Sequence, residues 1–428
     1  MIVALWLALA AAQDTAPPAR LKLDELYQLA SAQNPRVAAA HAIASAAAAR
    51  IPSAKLPPDP QLQLGFMNYS IPEFAPMGPL GMTQIQLMQM IPTAGKLKLT
   101  GRTAQALAAS ASERARSAEW DVRSQVAMAF YDLHAMDRGL DVSRETLRLL
   151  HDIRAVAEAM YRVGDGRQTD VLRAQVEIGR MVEDTVRMTT MRVGMAARLN
   201  ALLNRPADAL VSSPMLTAFP ESVLPLQTAL EQSETGRPMV LAARRDVDAA
   251  STQATLARRE LWPDVTLGLQ YGQQGSAMGT EHMGSIMIGA SIPIFAQRRQ
   301  LRMRDEALAM RQMAEAELAE MKARTRADVS NAHATLTRAR NLAALYRTTI
   351  IPQAEAAVAS ALAAYRVGSV DFMTLLDDRM TVNSYRQQLF GLEAEQGKAW
   401  AELEMLLGLE LLHPTVARSD TGASESRR

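Results

Sequence analysis

The sequence is duplicated, and this internal repeat constrains the fold more than any other feature. Four landmarks of the first half recur in the second half in the same order, at offsets of 201 to 204 positions. A repeat at one spacing predicts one structural unit used twice. We expect repeats at residues 21–204 and 226–410, joined by an irregular linker at 205–225 that contains four prolines. The matched landmarks are Asn34-Pro35 and Arg237-Pro238, Asp59-Pro60 and Trp262-Pro263, Ile91-Pro92 and Ile292-Pro293, and Tyr161-Arg-Val-Gly164 and Tyr365-Arg-Val-Gly368.

The two ends of the chain lie outside the repeats. Residues 2–12 form an apolar run that is too short to span a bilayer and that ends in alanines. This pattern predicts a signal peptide at residues 1–12; the alternative is a plain apolar N-terminus, because no basic residue precedes the run. We expect residues 411–428 to be a disordered tail. Since no other stretch has about 20 continuous apolar residues, any bilayer crossing must be made by strands.

Each repeat contains two short runs in which apolar and polar residues alternate. The period of two predicts strands of about nine residues, which is enough to cross a bilayer when the strands are tilted. A soluble sheet with one wet face is the alternative. Four strands cannot close a barrel of useful bore, so membrane-crossing strands would require several chains to share one barrel. The predicted strands are 61–69, 83–91, 264–271 and 285–292.

Long helices follow each strand pair. Heptad-like apolar spacing predicts helices over 103–163 and 303–367, with return helices over 169–204 and 372–409. Pro352 is expected to kink the second long helix, because proline lacks the backbone donor and crowds the preceding turn. Gly164 and Gly368 are expected to end the long helices in a left-handed conformation.

Composition excludes several kinds of site. Lys plus Arg (46) nearly cancels Asp plus Glu (45), and the net charge of +1 disfavours nucleic-acid binding. Cysteine is absent, and the six histidines show no metal-ligand spacing. No catalytic or nucleotide-binding motif is present, so we predict no cofactor, no metal site and no enzymatic activity. The 25 methionines are either packing residues or soft ligands that pass on Cu(I) or Ag(I).

The order of strand pair, long helix, glycine turn and return helix resembles the TolC family of outer-membrane efflux proteins over about residues 21–410. The most specific parts are YRVGDGRQTDVLRAQ at 161–175 and YRVGSVDFMTLLDDR at 365–379. PDPQLQLGF at 58–66 and QLMQMIPTAGKLKL at 86–99 are more similar to its heavy-metal efflux branch.

This resemblance implies a mainly α fold with a membrane β-barrel. In such a homotrimer, the three chains form a twelve-stranded β-barrel in the outer membrane and a periplasmic α-helical barrel. The implied partners are outer-membrane lipid, a periplasmic adaptor protein and an inner-membrane RND pump. The implied function is the exit duct of this tripartite system, exporting heavy-metal cations.

The resemblance also implies three groups of site residues. The turns between helices would bind the adaptor, acidic residues on the last helix would form a pore gate, and a pair between hairpins would latch it. The arginine that the family pattern places two residues after the second glycine is Val370 here, so Arg366 or Arg167 would replace it in the latch. The implied docking residues are Tyr161, Arg162, Val163, Gly164, Asp165, Gly166, Tyr365, Arg366, Val367 and Gly368; the gate residues are Asp371, Thr374, Asp377 and Asp378; the latch residues are Asp170 and Tyr365.

Two alternatives remain open at this point. One is a multidrug efflux or type I secretion duct of the same fold, since a duct need not recognise its cargo. The other is a periplasmic adaptor or coiled-coil scaffold protein, for which long helical hairpins would be equally natural. An adaptor would have one hairpin between two halves of a small β-domain, whereas this chain has two hairpins and four strand runs.

Overall fold

The computed structural model describes residues 20–78, 81–276 and 279–412. The predicted signal peptide and residues 413–428 of the predicted tail lie outside these residues. None of the helices in the described part is long and apolar enough to cross a membrane. The elements are α1 (Leu23–Gln33), α2 (Pro35–Ser53), β1 (Gln61–Met67), β2 (Met82–Ile91), α3 (Lys96–Val163), α4 (Gln168–Leu202), α5 (Leu226–Gly236), α6 (Pro238–Arg259), β3 (Val265–Ser276), β4 (Gly279–Ala290), α7 (Gln300–Leu345), α8 (Ile351–Arg366) and α9 (Phe372–Leu407).

The chain divides into two compact units, and each draws on both halves of the sequence. Among the described residues, the first contains 20–37, 119–231 and 327–412. The second contains residues 38–118 and 232–326, including all four strands. Neither unit is therefore one copy of the sequence repeat.

The four strands form one antiparallel sheet in the order β1-β2-β3-β4. The pairing of β2 with β3, for example Ile85 opposite Tyr271, joins the strand pairs of the two repeats. Strand β1 ends at Met67, two residues before its predicted end, because Asn68 adopts a positive φ of 55°. Strands β3 and β4 have 12 residues each and are longer than predicted.

The two faces of the sheet differ in chemistry and exposure. On the apolar face, Leu62 is 66% exposed and Ile286 is 78% exposed. On the opposite, polar face, Gln86 and Gln270 are half-buried, Gly268 and Gly272 are buried, and Gln63 is exposed. One row across the polar face consists of Gln63, Gln86, Gln270 and Ser285, and the neighbouring row of the apolar face consists of Leu62, Leu87, Leu269 and Ile286.

The long helices of the two repeats differ in continuity. Helix α3 runs without interruption for 68 residues. The second was predicted as one kinked helix over 303–367, but it consists of α7, a five-residue π-helical turn at Tyr346–Ile350, and α8. Pro352 lies in the first turn of α8, where a missing backbone donor costs little. The interruption therefore lies just before Pro352 and is a change of helix type.

A buried lysine connects the strands to the helices in the second unit. Lys96, the first residue of α3, is only 5% exposed. Its ammonium group lies 2.9 Å from Asp264 Oδ1, 3.4 Å from Glu260 Oε2 and 3.0 Å from the carbonyl oxygen of Trp262. Asp264 also accepts a hydrogen bond from the backbone N–H of Thr93 at 3.0 Å. This network fixes the start of α3 beside the start of β3.

Candidate functional site at the hairpin turns

The turn between α3 and α4 requires glycine at two positions for different reasons. Gly164 has a φ of 88°, a conformation that residues with a Cβ rarely adopt. Gly166 donates from its backbone N–H to the carbonyl oxygen of Met160 at 3.0 Å. A Cβ at Gly166 would lie 2.8 Å from the backbone nitrogen of Tyr161, so this turn has no room for one.

The turn between α8 and α9 closes in a similar way. Gly368 has a φ of 71° and donates to the carbonyl oxygen of Tyr365 at 3.0 Å. Ser369 donates from both its backbone N–H and its hydroxyl to the carbonyl oxygen of Ala364, each at 3.0 Å. The two predicted glycine turns are therefore present at the ends of both hairpins.

The ends of the two hairpins share one hydrophobic core in the first unit. The ring of Tyr365 contacts the ring of Phe372 edge to face, with centroids 5.8 Å apart. That contact lies within the second hairpin, whereas the shared core packs the ends of the two hairpins together as one tip. The buried core residues are Leu150, Ile153, Ala157, Ala174, Ile178, Met181, Ala361, Tyr365, Phe372, Leu375 and Leu376.

Most of the predicted docking residues are accessible at this tip. Val163 is 73% exposed, Tyr161 is 47% exposed and Val367 is 78% exposed. Tyr365 differs from its repeat counterpart Tyr161, because it is only 4% exposed. Its side chain belongs to the core of the tip and is not available at the surface for a partner.

The predicted latch pair is close together but is not hydrogen-bonded. Burial, and then the negative charge of Asp170, raise the pKa of Tyr365 above its ordinary value. The Tyr365 hydroxyl has no hydrogen-bond partner among the residues that the structure describes. Of the two candidate arginines, Arg167 lies near the second hairpin, where its charge contributes to lowering the pKa of Asp371. Arg167 is therefore close enough to Asp371 to act on its charge, and Tyr365 and Asp170 are not hydrogen-bonded in the described part of the chain.

Two of the four predicted gate residues bind each other. Asp371 caps α9 by accepting hydrogen bonds from the hydroxyl of Thr374 at 2.5 Å and from its backbone N–H at 3.2 Å. These two bonds lower the pKa of Asp371. Asp377 is exposed and its neighbour Asp378 is half-buried, both about two turns further along α9. The gate prediction therefore depends mainly on Asp377 and Asp378.

A charged network behind the tip was not predicted from the sequence. Arg386 donates to Glu145 Oε2 at 2.9 Å and to Glu355 Oε1 at 2.5 Å. Arg379, 9% exposed, lies 3.8 Å from Glu145, and its Nε has no hydrogen-bond partner in the described part of the chain. Burial, and then the charge of Arg386, lower the pKa of Arg379. The seven-residue spacing of the arginines on α9 was the available sequence signal.

Sequence comparison finds one family model and relatives that are named for metal resistance or for export. The family model described as "Outer membrane efflux protein" matches residues 26–205 and 229–409. The cobalt-zinc-cadmium resistance protein CzcC of Cupriavidus metallidurans is 24% identical over 303 residues, which are 67% of this chain and 68% of CzcC. The pyoverdine export outer membrane protein OpmQ of Pseudomonas putida is also 24% identical, over 66% of this chain and 61% of OpmQ. This match spans less than two thirds of OpmQ.

Structural comparison gives the same fold. CusC, which forms a transmembrane channel, has a TM-score of 0.76 and 18% identity, covering 90% of this chain and 91% of the CusC chain. The outer membrane protein VceC of Vibrio cholerae has a TM-score of 0.76 and 18% identity, covering 90% of this chain and 96% of the VceC chain. In the part of the chain that the structure describes, no group of three or more His, Asp or Glu residues is arranged to hold a metal ion.

Proposed function

The chain belongs to the outer membrane efflux protein family, and from this premise we propose that it is the exit duct of a tripartite efflux system for heavy-metal cations. The observation that carries the proposal is the sheet with one exposed apolar face and one polar face of glutamine, glycine and serine. An apolar face suits lipid and a polar face suits an aqueous passage. The helices extend this passage into the periplasm. Family membership also decides against the adaptor or scaffold alternative.

The assembly that we infer is a homotrimer. In the described sheet, β1 and β4 are edge strands whose outer sides have no partner within the chain. Unpaired strand edges are not tolerated in lipid, so other copies of the sheet must cover them. Three copies give a closed duct with a shared polar interior.

The docking surface that we infer consists of the two glycine turns, without Tyr365. An adaptor hairpin contacts the exposed Val163 and Val367 and links the duct to an inner-membrane RND pump. Transport is then driven by the partners, and the chain acts as a conduit and performs no catalysis. This division of labour requires the tip to present apolar groups to the partner, as Val163 and Val367 do.

The docking surface is tested by changing Val367 to Asp and measuring co-purification with the host's periplasmic adaptor. A buried charge at the contact should weaken binding at least tenfold. Val193→Asp is the matched control, because Val193 is 64% exposed on α4 and lies outside the turns. Equal binding by V367D and V193D would contradict docking at this turn.

The cargo assignment rests on the heavy-metal resemblance and on the similarity to CzcC. The similarity to OpmQ, at the same identity, favours an organic cargo as the second candidate. Deletion of the gene, with complementation, should lower survival in cobalt, zinc, cadmium, copper or silver. Drug or siderophore sensitivity together with an unchanged metal profile would replace the metal assignment with the organic one.

A further inference from the structure

The methionines of the sheet all lie on one face. Strand β1 has one methionine, β2 has three and β4 has two. The register places every one of them in the rows that contain the glutamines and glycines of the polar face. If each methionine could lie on either face, this distribution would arise in roughly 1 of 30 cases. The residues are Met67, Met82, Met88, Met90, Met283 and Met287.

This location is opposite to the one expected for packing. A methionine that serves only as apolar surface would be expected among the leucines and isoleucines of the exposed apolar face. Instead, Met88 and Met287 stand in one row on either side of Gly268. Their thioethers therefore project into the polar interior of the proposed duct.

Glycines make room for these side chains. A Cβ at Gly268 would lie 3.3 Å from Met287 Cε and 3.7 Å from Met88 Cγ, so the two methionines converge above this glycine. A Cβ at Gly272 would overlap with the terminal methyl group of Met82. The amide nitrogen of Gln86 lies 4.0 Å from the sulfur of Met287, at hydrogen-bonding distance for sulfur. The thioether is thus held among polar groups.

The rows form steps along the strands. Met90 lies in the first of five successive rows of this face, and Met88 and Met287 lie in the second. Met67 and Met82 lie opposite each other in the fifth row. Met283 lies in the fourth row, opposite Gly272. Neighbouring rows of one face are about 7 Å apart, since each residue rises about 3.3 Å. The row of Gln86 and Gln270, which has no methionine, separates the Met88–Met287 row from that of Met283, so the methionines would form separate binding sites in series along the wall.

We propose that these six methionines bind Cu(I) or Ag(I) weakly and pass it along the wall of the duct. The inference rests on the proposed function, and it adds a specific path for soft monovalent cations to a duct that also carries other metal cations. Thioethers are soft, neutral ligands that prefer Cu(I) and Ag(I), whereas cobalt and zinc prefer imidazole, carboxylate or thiolate ligands. A neutral ligand releases no proton on binding, and several weak sites in series permit release as well as capture.

The direct test measures the affinity of Ag(I) by calorimetry. Silver nitrate is titrated into the purified full-length protein in chloride-free detergent solution. The double variant Met88→Leu/Met287→Leu keeps the side-chain volume and removes both sulfurs. Its matched control is Met310→Leu/Met313→Leu on α7, where both methionines are about half exposed. We expect the strand variant to bind Ag(I) at least tenfold more weakly than the wild type, and the control to be unchanged. Circular dichroism should show equal folding.

Unchanged Ag(I) affinity in the strand variant, or an equal loss in the control, would overturn the inference. Survival assays separate this result from the proposed function. The strand variant should restore tolerance of cobalt and zinc to a deletion strain but not tolerance of silver. If the deletion itself leaves every metal tolerance unchanged, the proposed function fails. If the deletion lowers metal tolerance and the strand variant binds silver normally, only the methionine inference fails.

Discussion

Arg386 donates a hydrogen bond of 2.9 Å to Glu145, although the two residues are 241 positions apart in the chain. The bond joins α9, the last helix of the second hairpin, to α3, the long helix of the first. Glu145 also lies 3.8 Å from Arg379, so a single carboxylate lies between two arginines, and Glu355 supplies the second negative charge. The two hairpins are therefore coupled by charge as well as by their shared apolar core.

Replacing Glu145 with Gln should destabilise this coupling. The two arginines would then face each other with only Glu355 to compensate them, and Arg379 is already buried. Because Glu145 is 44% exposed, solvent screening limits the expected loss to about 1 kcal/mol. Thermal unfolding in detergent measures it. Asp152→Asn, at an exposed position on the same helix, should change stability by less than about 0.5 kcal/mol; an equal effect of both variants would argue against the coupling.

Alanine should have opposite effects at two glycines. Gly368→Ala forces a residue with a Cβ into a φ of 71° and should cost about 1 kcal/mol. Gly179→Ala, in the middle of α4 with open space around the new Cβ, should stabilise by about 0.5–1 kcal/mol. Melting curves of the two variants provide the comparison. A stabilising G368A would show that the turn does not hold its left-handed conformation.

Lys96→Met should be strongly destabilising. The substitution leaves Asp264, whose side chain is 19% exposed, without its ammonium partner. Removal of one member of a buried ion pair costs about 3 kcal/mol or more. Lys98→Met is the control, because Lys98 lies on the same turn and is exposed. Similar melting temperatures for both variants would mean that the Lys96 network contributes little to stability.

Replacing Asp377 and Asp378 with Asn should lower the cation preference of the pore several-fold, if they form the gate. Carboxylates arranged around a pore attract cations and repel anions. Reversal potentials in a salt gradient across planar bilayers measure this preference. Asp371→Asn should leave it unchanged, because the amide oxygen can still cap α9. A change in selectivity confined to Asp371→Asn would assign the gate to that residue instead.

Glu404 should make the stability of the protein depend on pH. This carboxylate is 2% exposed and accepts hydrogen bonds from the backbone N–H groups of Leu411 and Leu412 at 2.6 and 2.7 Å. Burial nevertheless raises the pKa of Glu404 above its ordinary 4.5. The folded state therefore binds this proton more tightly than the unfolded state. Its contribution to stability is greatest below about 4.5 and is lost as pH rises through the higher folded pKa.

The pH dependence can be isolated with Glu404→Gln. Melting temperatures of this variant, measured from neutral pH down to about 4.5, should lack the part of the slope that the wild type owes to Glu404. Glu221→Gln, at an exposed position in the linker, should retain the wild-type slope. An identical slope in the wild type and E404Q would mean that Glu404 titrates equally in both states.

The sequence predicted the elements of the fold better than their contacts. Local signals located the strands and both glycine turns, since period and conformational preference depend on neighbouring residues. The pairing of Ile85 with Tyr271 and the bond between Glu145 and Arg386 join distant segments, for which one sequence carries no periodic signal. The motif around Tyr365 predicted an accessible residue like Tyr161, but packing against Phe372 buries it.

The π-helical turn before Pro352 gives the duplicated hairpins different rotational phases. A π turn takes up about one more residue than an α turn, and one residue corresponds to about 100° of rotation around a helix axis. Tyr161 and Tyr365 stand the same number of residues after the starts of α3 and α7, but only the second helix contains this turn. The sequence Tyr-Arg-Val-Gly therefore has a different orientation around the helix axis in each of the two hairpins. Gene duplication can in this way give two copies of one motif with the same sequence but different exposure: Tyr161 faces outward and Tyr365 faces the core.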